Sequence, residues 1–279
     1  MSTPLIRRDQ GRETWQSILD WLATDSESSS LLELPMFPGE GPVYQLLVDE
    51  VRQRSLLTLQ SDCFTRALLR RRENADAYLQ EALSSNRRRD YKRKEKRLTE
   101  LGKLEYRVLE SETDLPAWTE WFLQLEASGW KGSEGTALAC SASNLGFFHE
   151  ATQTAFQQGQ LQMLGLFLDE KPIAIRCNFL SGQGSFFYKP GYDESHAKNS
   201  PGALVELQNI QEIHRHPHVR FMDSCTSPDN ELLNDLWLDR FLLQNLVLAT
   251  GKGWGRLAIS ALPLFRWLRR LGRTPAAAK

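Results

Sequence analysis

The residues that could do chemistry fall in a few short stretches of the chain. Ser200-Pro201-Gly202-Ala203 reads as the opening of a helix that runs to about His214. Serine suits the cap, proline the first helical position, and glycine leaves the backbone open to a close neighbour. Such a start presents free N–H groups and the positive end of the helix dipole, so it can hold a phosphate-like anion, with Lys198 near enough to add a cation. The same residues also suit a plain, well-capped helix. Gly129-Trp130-Lys131-Gly132, followed by Gly135-Thr136, is an odd composition for a simple connection. A tryptophan there offers an apolar platform and Lys131 an anion contact, against the plainer reading of a buried Trp130 anchoring a loop.

Other signals point away from chemistry. Arg87 to Arg97 carries eight Lys/Arg against one Asp and one Glu, with Tyr91 as its aromatic residue. That composition favours a solvated helix, or an anchor for phosphorylated molecules, over a nucleic-acid surface. His214, His216 and His218 alternate around Pro217 with no Cys or acidic pattern beside them, which reads as a surface turn and not a metal site. Cys63, Cys140, Cys177 and Cys225 form no C-x-x-C pair and read as reduced thiols. No Ser-His-Asp or Cys-His spacing calls for a covalent intermediate.

The elements that must position these residues can be read from periodicity. Trp15–Leu22 and Val43–Arg54 have helical spacing, and Leu31–Leu34 and Leu56–Phe64 read as strands, with a turn at Pro35–Gly39. A single helix is expected from Asn74 to Leu101, ended by Gly102. Strand 104–109, helix 117–127 and helix 147–158 follow. Then the period changes to two. Strands are expected at 161–168, 172–180 and 185–189, joined by turns at Asp169-Glu170-Lys171 and Ser181–Gly184. In the middle strand Ile173, Ile175, Cys177 and Phe179 alternate with Ala174, Arg176 and Asn178, the mark of a half-covered sheet. A strand at 219–224, a helix at 232–239 and a strand at 241–249 complete the pattern, and 254–271 is apolar and basic.

From residue 104 onward this order is that of the GNAT acyltransferases. The segments LEASGWKGSEGTAL (125–138), LFLDEKPIAIRCNF (166–179), FFYKPGYDESHAKNSPGALV (186–205) and FMDSC (221–225) resemble the CelD-type branch of GNAT proteins, which is associated with cellulose and exopolysaccharide loci and related to the FemAB peptidyltransferases. The resemblance covers most of residues 85–250. It implies an α/β (α+β) fold with a mixed, mostly antiparallel sheet flanked by helices. Residues 1–73 then read as a partial GNAT-like half, 74–103 as a basic connecting helix, 104–250 as the acyltransferase domain and 251–279 as a basic amphipathic tail.

The resemblance also implies acetyl-CoA or another acyl-CoA as co-substrate, with no metal. The pyrophosphate would sit on Ser200, Pro201, Gly202 and Ala203, although the chain has S-P-G where GNAT proteins usually carry Q/R-x-x-G-x-G/A. Lys189 and Lys198 would add contacts. The pantetheine would lie between strands 185–189 and 219–224, where Asp223 is the candidate base or amine anchor and Tyr188 the candidate acid. Trp130, Lys131, Thr136, Tyr192 and Asp193 would meet the acceptor, an amine on a small molecule, sugar or envelope precursor. The FemAB relationship keeps open an aminoacyl-tRNA donor met by the basic helix, and the shortened first half keeps open a non-catalytic scaffold.

The chain of 279 residues, with 41% apolar and 25% charged residues, has material for one large or two modest domains. Its formal net charge of −1 gives no bulk attraction to nucleic acid. The N-terminal MSTPLIRRDQGRETW has no apolar signal region, and no stretch approaches the roughly 18 apolar residues of a spanning helix. A cytoplasmic location is therefore expected, with a homodimer or partner protein completing the chain and peripheral contact at the inner membrane surface through the tail.

Overall fold

The computed structural model describes residues 4–129, 132 and 134–261. The chain divides into two compact units, one formed by 1–65 with 241–279 and the other by 66–240. Among the described residues the fold is mixed α/β, with eight strands paired mostly antiparallel and flanked by helices, as the sequence leads one to expect.

In the first unit, α1 (Gly11–Thr24) and α2 (Pro42–Gln53) cover β1 (Leu31–Pro38). Trp15, Leu19, Phe37, Leu47 and Leu248 form the core. β1 pairs antiparallel with β8 (Asp239–Ala249), from Leu31 opposite Ala249 to Pro38 opposite Leu243. β1 is longer than the four residues expected. Pro35 to Pro38, expected as a turn, continue the strand through a register shift between Leu34 and Phe37, with Met36 at φ 51. The division also differs from the linear one read from sequence, because strand 241–249 finds its partner more than two hundred residues upstream. Pairing between strands so distant leaves no local signature.

In the second unit the strands run in the order β7 (Phe221–Asp223), β6 (Gly184–Tyr192), β5 (Lys171–Ser181), β4 (Leu161–Leu168), β3 (Leu104–Val108). The end of β2 (Thr58–Arg70) pairs antiparallel with β7 at Leu68–Arg70. β6 and β7 are parallel. The β4–β5 hairpin turns through Asp169 and Glu170, both at positive φ, the conformation a two-residue hairpin requires.

Helices cover both faces of this sheet. On one side α5 (Leu115–Ser128) and α6 (Ala142–Gln157) bury Trp118, Phe122 and Phe148 against Met163, Ile175 and Cys177. On the other, α3 (Ala75–Ala82), α4 (Ser85–Thr99), α7 (Pro201–Arg215) and α8 (Glu231–Leu236) pack Tyr78, Leu98, Leu204, Ile213 and Leu236 over Leu164, Leu166 and Ala174. The half-covered sheet expected from β5 is corrected by this finding: every residue from Ile173 to Asn178 is buried, on both faces. Arg176 and Asn178 look like a solvent face in sequence. They belong instead to an internal polar network, where Arg176 meets Glu206 and donates to Asn178, while Asn178 bonds Gln162 and Asn209. Burying these groups is tolerable because each finds partners.

The single helix expected over 74–101 is two. Asn74 caps α3, and buried Leu83 leaves the helical path before Ser84 caps α4 through its bond from the Arg87 N–H. α6 begins earlier than expected, capped by Ser141, and β7 is shorter.

Candidate active site

The site follows from how β6 and β7 part. Their ladder holds for three pairs, Gly184 with Phe221, Ser185 with Met222 and Phe186 with Asp223, and stops there. β6 continues along β5 to Tyr192, but through a bulge: Cys177 pairs with Lys189 and Asn178 with Phe187, so Tyr188 is the extra residue. A bulge bends the strand and re-aims the inserted side chain. β7 ends, and the chain turns away at Cys225, a non-glycine residue at φ 50. Between the parted strands lies a cavity of about 400 Å³. It is lined by Phe187, Tyr188, Lys189 and Tyr192 on one side, Thr226, Ser227 and Asn230 on the other, and Leu125, Glu126, Gly129 and Glu194 at its end.

Tyr188, Lys189 and Tyr192 are therefore brought together, Tyr192 because β6 runs on past the expected end at 189 along β5. The Tyr188 ring stacks on Phe148 at 5.9 Å and meets Phe179 edge-on at 5.5 Å, which fixes its direction. Burial, then the neighbouring Cys177 and Glu126, raise its hydroxyl above the ordinary tyrosine value. It remains a proton donor through neutral pH. Lys189 forms a 2.8 Å ion pair with Glu126. Glu126 also accepts the Leu138 N–H at 2.8 Å, so one buried carboxylate ties β6 to the start of the 3-10 turn Leu138–Cys140. The sequence reading passed over Glu126. Its signal is a charge in the buried stripe of α5, among Leu115, Trp118, Thr119, Phe122 and Leu123. An acid in core register needs a buried partner.

Asp223 sits at the mouth of the divergence but not as a free carboxylate. It is buried, lies 2.6 Å from the equally buried Arg66 guanidinium, and accepts the Cys225 N–H at 3.0 Å. Its oxygens hold the turn that leads into Thr226 and Ser227. Asn230, further along the same wall, caps α8 by accepting the Leu233 N–H.

The N-terminus of α7 adjoins the cavity through Tyr192: a Cβ added at Gly202 would lie 3.6 Å from the Tyr192 ring. Pro201 takes the first helical position as expected. Ser200 does not cap. It is left-handed at φ 50, makes no side-chain capping bond, and its Oγ instead accepts a 3.0 Å bond from Lys94, which also bridges Asp90. The basic helix α4 thus places a cation at the start of α7, a contact invisible in a run of cations whose faces only folding distinguishes. Lys198 is exposed in the preceding 3-10 turn Glu194–Asn199, and Ala203 is buried.

The acceptor candidates divide. Trp130 and Lys131 lie outside the described residues. Thr136 is exposed. Asp193 faces away from the cavity and caps the turn by accepting the Ser195 N–H, at the edge of a groove that Trp121 and His196 also line. His214 accepts the Arg72 N–H and bonds the Ile210 carbonyl, which gives it a packing role. Among the described residues no group of three His, Cys, Asp or Glu could hold a metal.

The acetyltransferase (GNAT) domain family matches residues 85–231. A conserved protein of unknown function from Bacteroides thetaiotaomicron is similar at TM-score 0.58 and 8% identity, over 85% of this chain and 75% of that one. FemX is similar at TM-score 0.56 and 8% identity, over 95% of this chain and 81% of its own. The C-terminal domain of a proposed lysylphosphatidylglycerol synthetase from Agrobacterium fabrum is similar at TM-score 0.54 and 12% identity, over 98% and 82%. At such identities the likeness is one of fold. No curated protein matches the chain.

Proposed function

Because the chain belongs to the GNAT acetyltransferase family, we propose that it transfers an acyl group from a coenzyme A thioester to an amine. The observation that carries this reading is the cavity opened where β6 and β7 part, with the start of α7 beside it. An extended pantetheine could pair with the strand edge left by the ended ladder, while the Gly202 N–H, Lys94 and Lys198 meet its phosphates. The amine attacks the thioester carbonyl carbon, the carbon–sulfur bond breaks, and Tyr188 gives its proton to the departing thiolate. The excess proton on the nitrogen passes to solvent, and the Tyr188 phenolate regains one there. Asp223 is assigned to hold the cavity wall through Arg66 and Cys225, since a carboxylate so engaged is poorly placed to take protons. Lys189 and Tyr192 line the slot. The CelD-type branch, and with it an acceptor amine on a sugar or exopolysaccharide precursor, is supported by sequence resemblance alone.

A second reading has its own support. The likeness to FemX and to the lysylphosphatidylglycerol synthetase domain, with a helix as basic as α4 beside the site, fits an aminoacyl group delivered by tRNA. Labelled acetyl-CoA and labelled aminoacyl-tRNA, each offered with a panel of amine acceptors, separate the two. The first reading expects thiol release and label transfer from acetyl-CoA. Transfer from aminoacyl-tRNA alone would replace it with the second.

A further inference from the structure

In the first unit, large apolar side chains stand in solvent on a firmly held segment. Trp254 is 77% exposed, Leu257 61% and Trp21 57%. Their exposure is not a matter of loose backbone. Thr250 N–H bonds the Ser30 carbonyl at 3.1 Å, Lys252 bonds Ser28 Oγ at 2.6 Å, and Gly255 sits so close to Ser30 that an added Cβ would lie 2.2 Å from its carbonyl oxygen. Residues 255–261 are helical, and Ile259 is buried with Val247 and Ala249, so one side is anchored in the core while Arg256 and Leu257 face out. The segment runs along residues 23–30, directly after the helix end that carries Trp21.

Arg256 is exposed beside Leu257, and the sequence from here on is basic. From residue 250 to 279 the sequence has seven Lys/Arg and no Asp or Glu, in a chain whose totals are 34 and 35. Aspartates at the end of α1 are already engaged, Asp20 by Arg54 and Asp25 by the Glu27 and Ser28 N–H groups. Exposed Trp254 and Leu257 beside exposed Arg256, at the start of a basic stretch of sequence, fit a surface that is anionic outside and apolar just beneath. A nucleic acid would answer the cations but leave Leu257 in water.

We propose that this face docks on an anionic lipid bilayer, with Trp254 and Leu257 entering the headgroup region and Arg256 and its neighbouring cations meeting lipid phosphates. Trp21 extends the contact. Among the described residues no helix is long and apolar enough to cross a membrane. The inference uses neither the acyl donor nor the cavity, and it stands or falls independently of them.

The test is co-sedimentation of the full chain with phosphatidylglycerol–phosphatidylcholine vesicles and with pure phosphatidylcholine vesicles, at low and high salt. The proposal expects binding to the anionic vesicles only, weakened by salt, and reduced at least about tenfold in Trp254→Ser/Leu257→Ser and in Arg256→Glu. Thermal unfolding of each variant should match the parent, since the replaced side chains are exposed. No binding to anionic vesicles, or full binding by the double variant, would overturn it. So would binding of a single-stranded RNA oligonucleotide as tightly as vesicles with no effect of the double substitution, which would mark a surface defined by charge alone.

Discussion

The Arg66 guanidinium lies 2.6 Å from the Asp223 carboxylate, with both residues buried, and the pair joins the end of β2 to the end of β7 where the cavity begins. Truncating one partner leaves a charge in the interior with its main counterpart gone. Asp223→Ala should cost about 3–5 kcal/mol in urea unfolding. Asp223→Asn, which can still accept the Cys225 N–H, should cost less. If Asp223 positions the wall, the Asn variant should show a raised KM for the donor and an unchanged pH profile; loss of the acidic limb of that profile would make Asp223 a base after all.

Tyr188 is held by rings on two sides, so removing its hydroxyl alone should leave the packing intact. Tyr188→Phe should unfold within about 0.5 kcal/mol of the parent. It should lower kcat by about 100-fold with little change in KM, the scale of a lost general acid. Because burial raises its pKa, Tyr188 stays protonated through neutral pH, so the deficit of Tyr188→Phe should be the same across that range. Steady-state kinetics from pH 6 to 10.5 read both effects.

Gly191 marks the closest approach of β6 to α5: an added Cβ would lie 2.9 Å from the Glu126 backbone nitrogen and 3.0 Å from the Leu125 Cβ. A backbone nitrogen cannot rotate aside. Gly191→Ala should push the end of α5 away and destabilise the fold by about 1–3 kcal/mol. Donor binding should weaken with it, since Leu125, Glu126 and Gly191 all line the cavity. Unfolding and donor titration on one preparation measure both.

Stability should also decline in alkali. Burial raises the Tyr78 and Tyr106 hydroxyls and the Cys177 thiol above their usual values. In the unfolded chain these groups ionise near their ordinary values of about 8.5 for Cys and 10 for Tyr. Between those values and the raised native ones, the folded state binds more protons, so the stability fully present below about pH 8.5 is lost as pH rises. Urea midpoints at pH 8, 9.5 and 10.5 should fall in that order.

Much of the fold was legible in sequence because its signals are local. The alternation in 161–192, the turn at Asp169 and Glu170 and the Ser200-Pro201-Gly202 helix start each name their element within a few residues. Tyr188, Lys189, Tyr192 and Gly202 fall together because they hang from one strand and the helix that follows it. What was not legible depends on distant partners. Arg66 lies 157 residues from Asp223, and Lys94 lies 106 from Ser200. Neither spacing has a pattern. Arg176 and Asn178 mimic a solvent face because the polar residues that receive them, Glu206 and Asn209, are on α7, outside the strand. Glu126 could have been found, as a carboxylate in the apolar register of α5.

The central claim is that the gap between β6 and β7 and the start of α7 hold a coenzyme A thioester. Its most direct test is a thermal-shift titration with acetyl-CoA and a long-chain acyl-CoA on the parent chain and on Gly202→Glu. The added carboxylate would stand at the phosphate position, while its Cβ would find only ordinary contact with Tyr192 at 3.6 Å. At 100 times Kd, the ligand should stabilise the parent by about 2.7 kcal/mol, and the shift should vanish in the variant, whose own melting should be unchanged. No shift with either thioester, or an equal shift in parent and variant, would contradict the assignment.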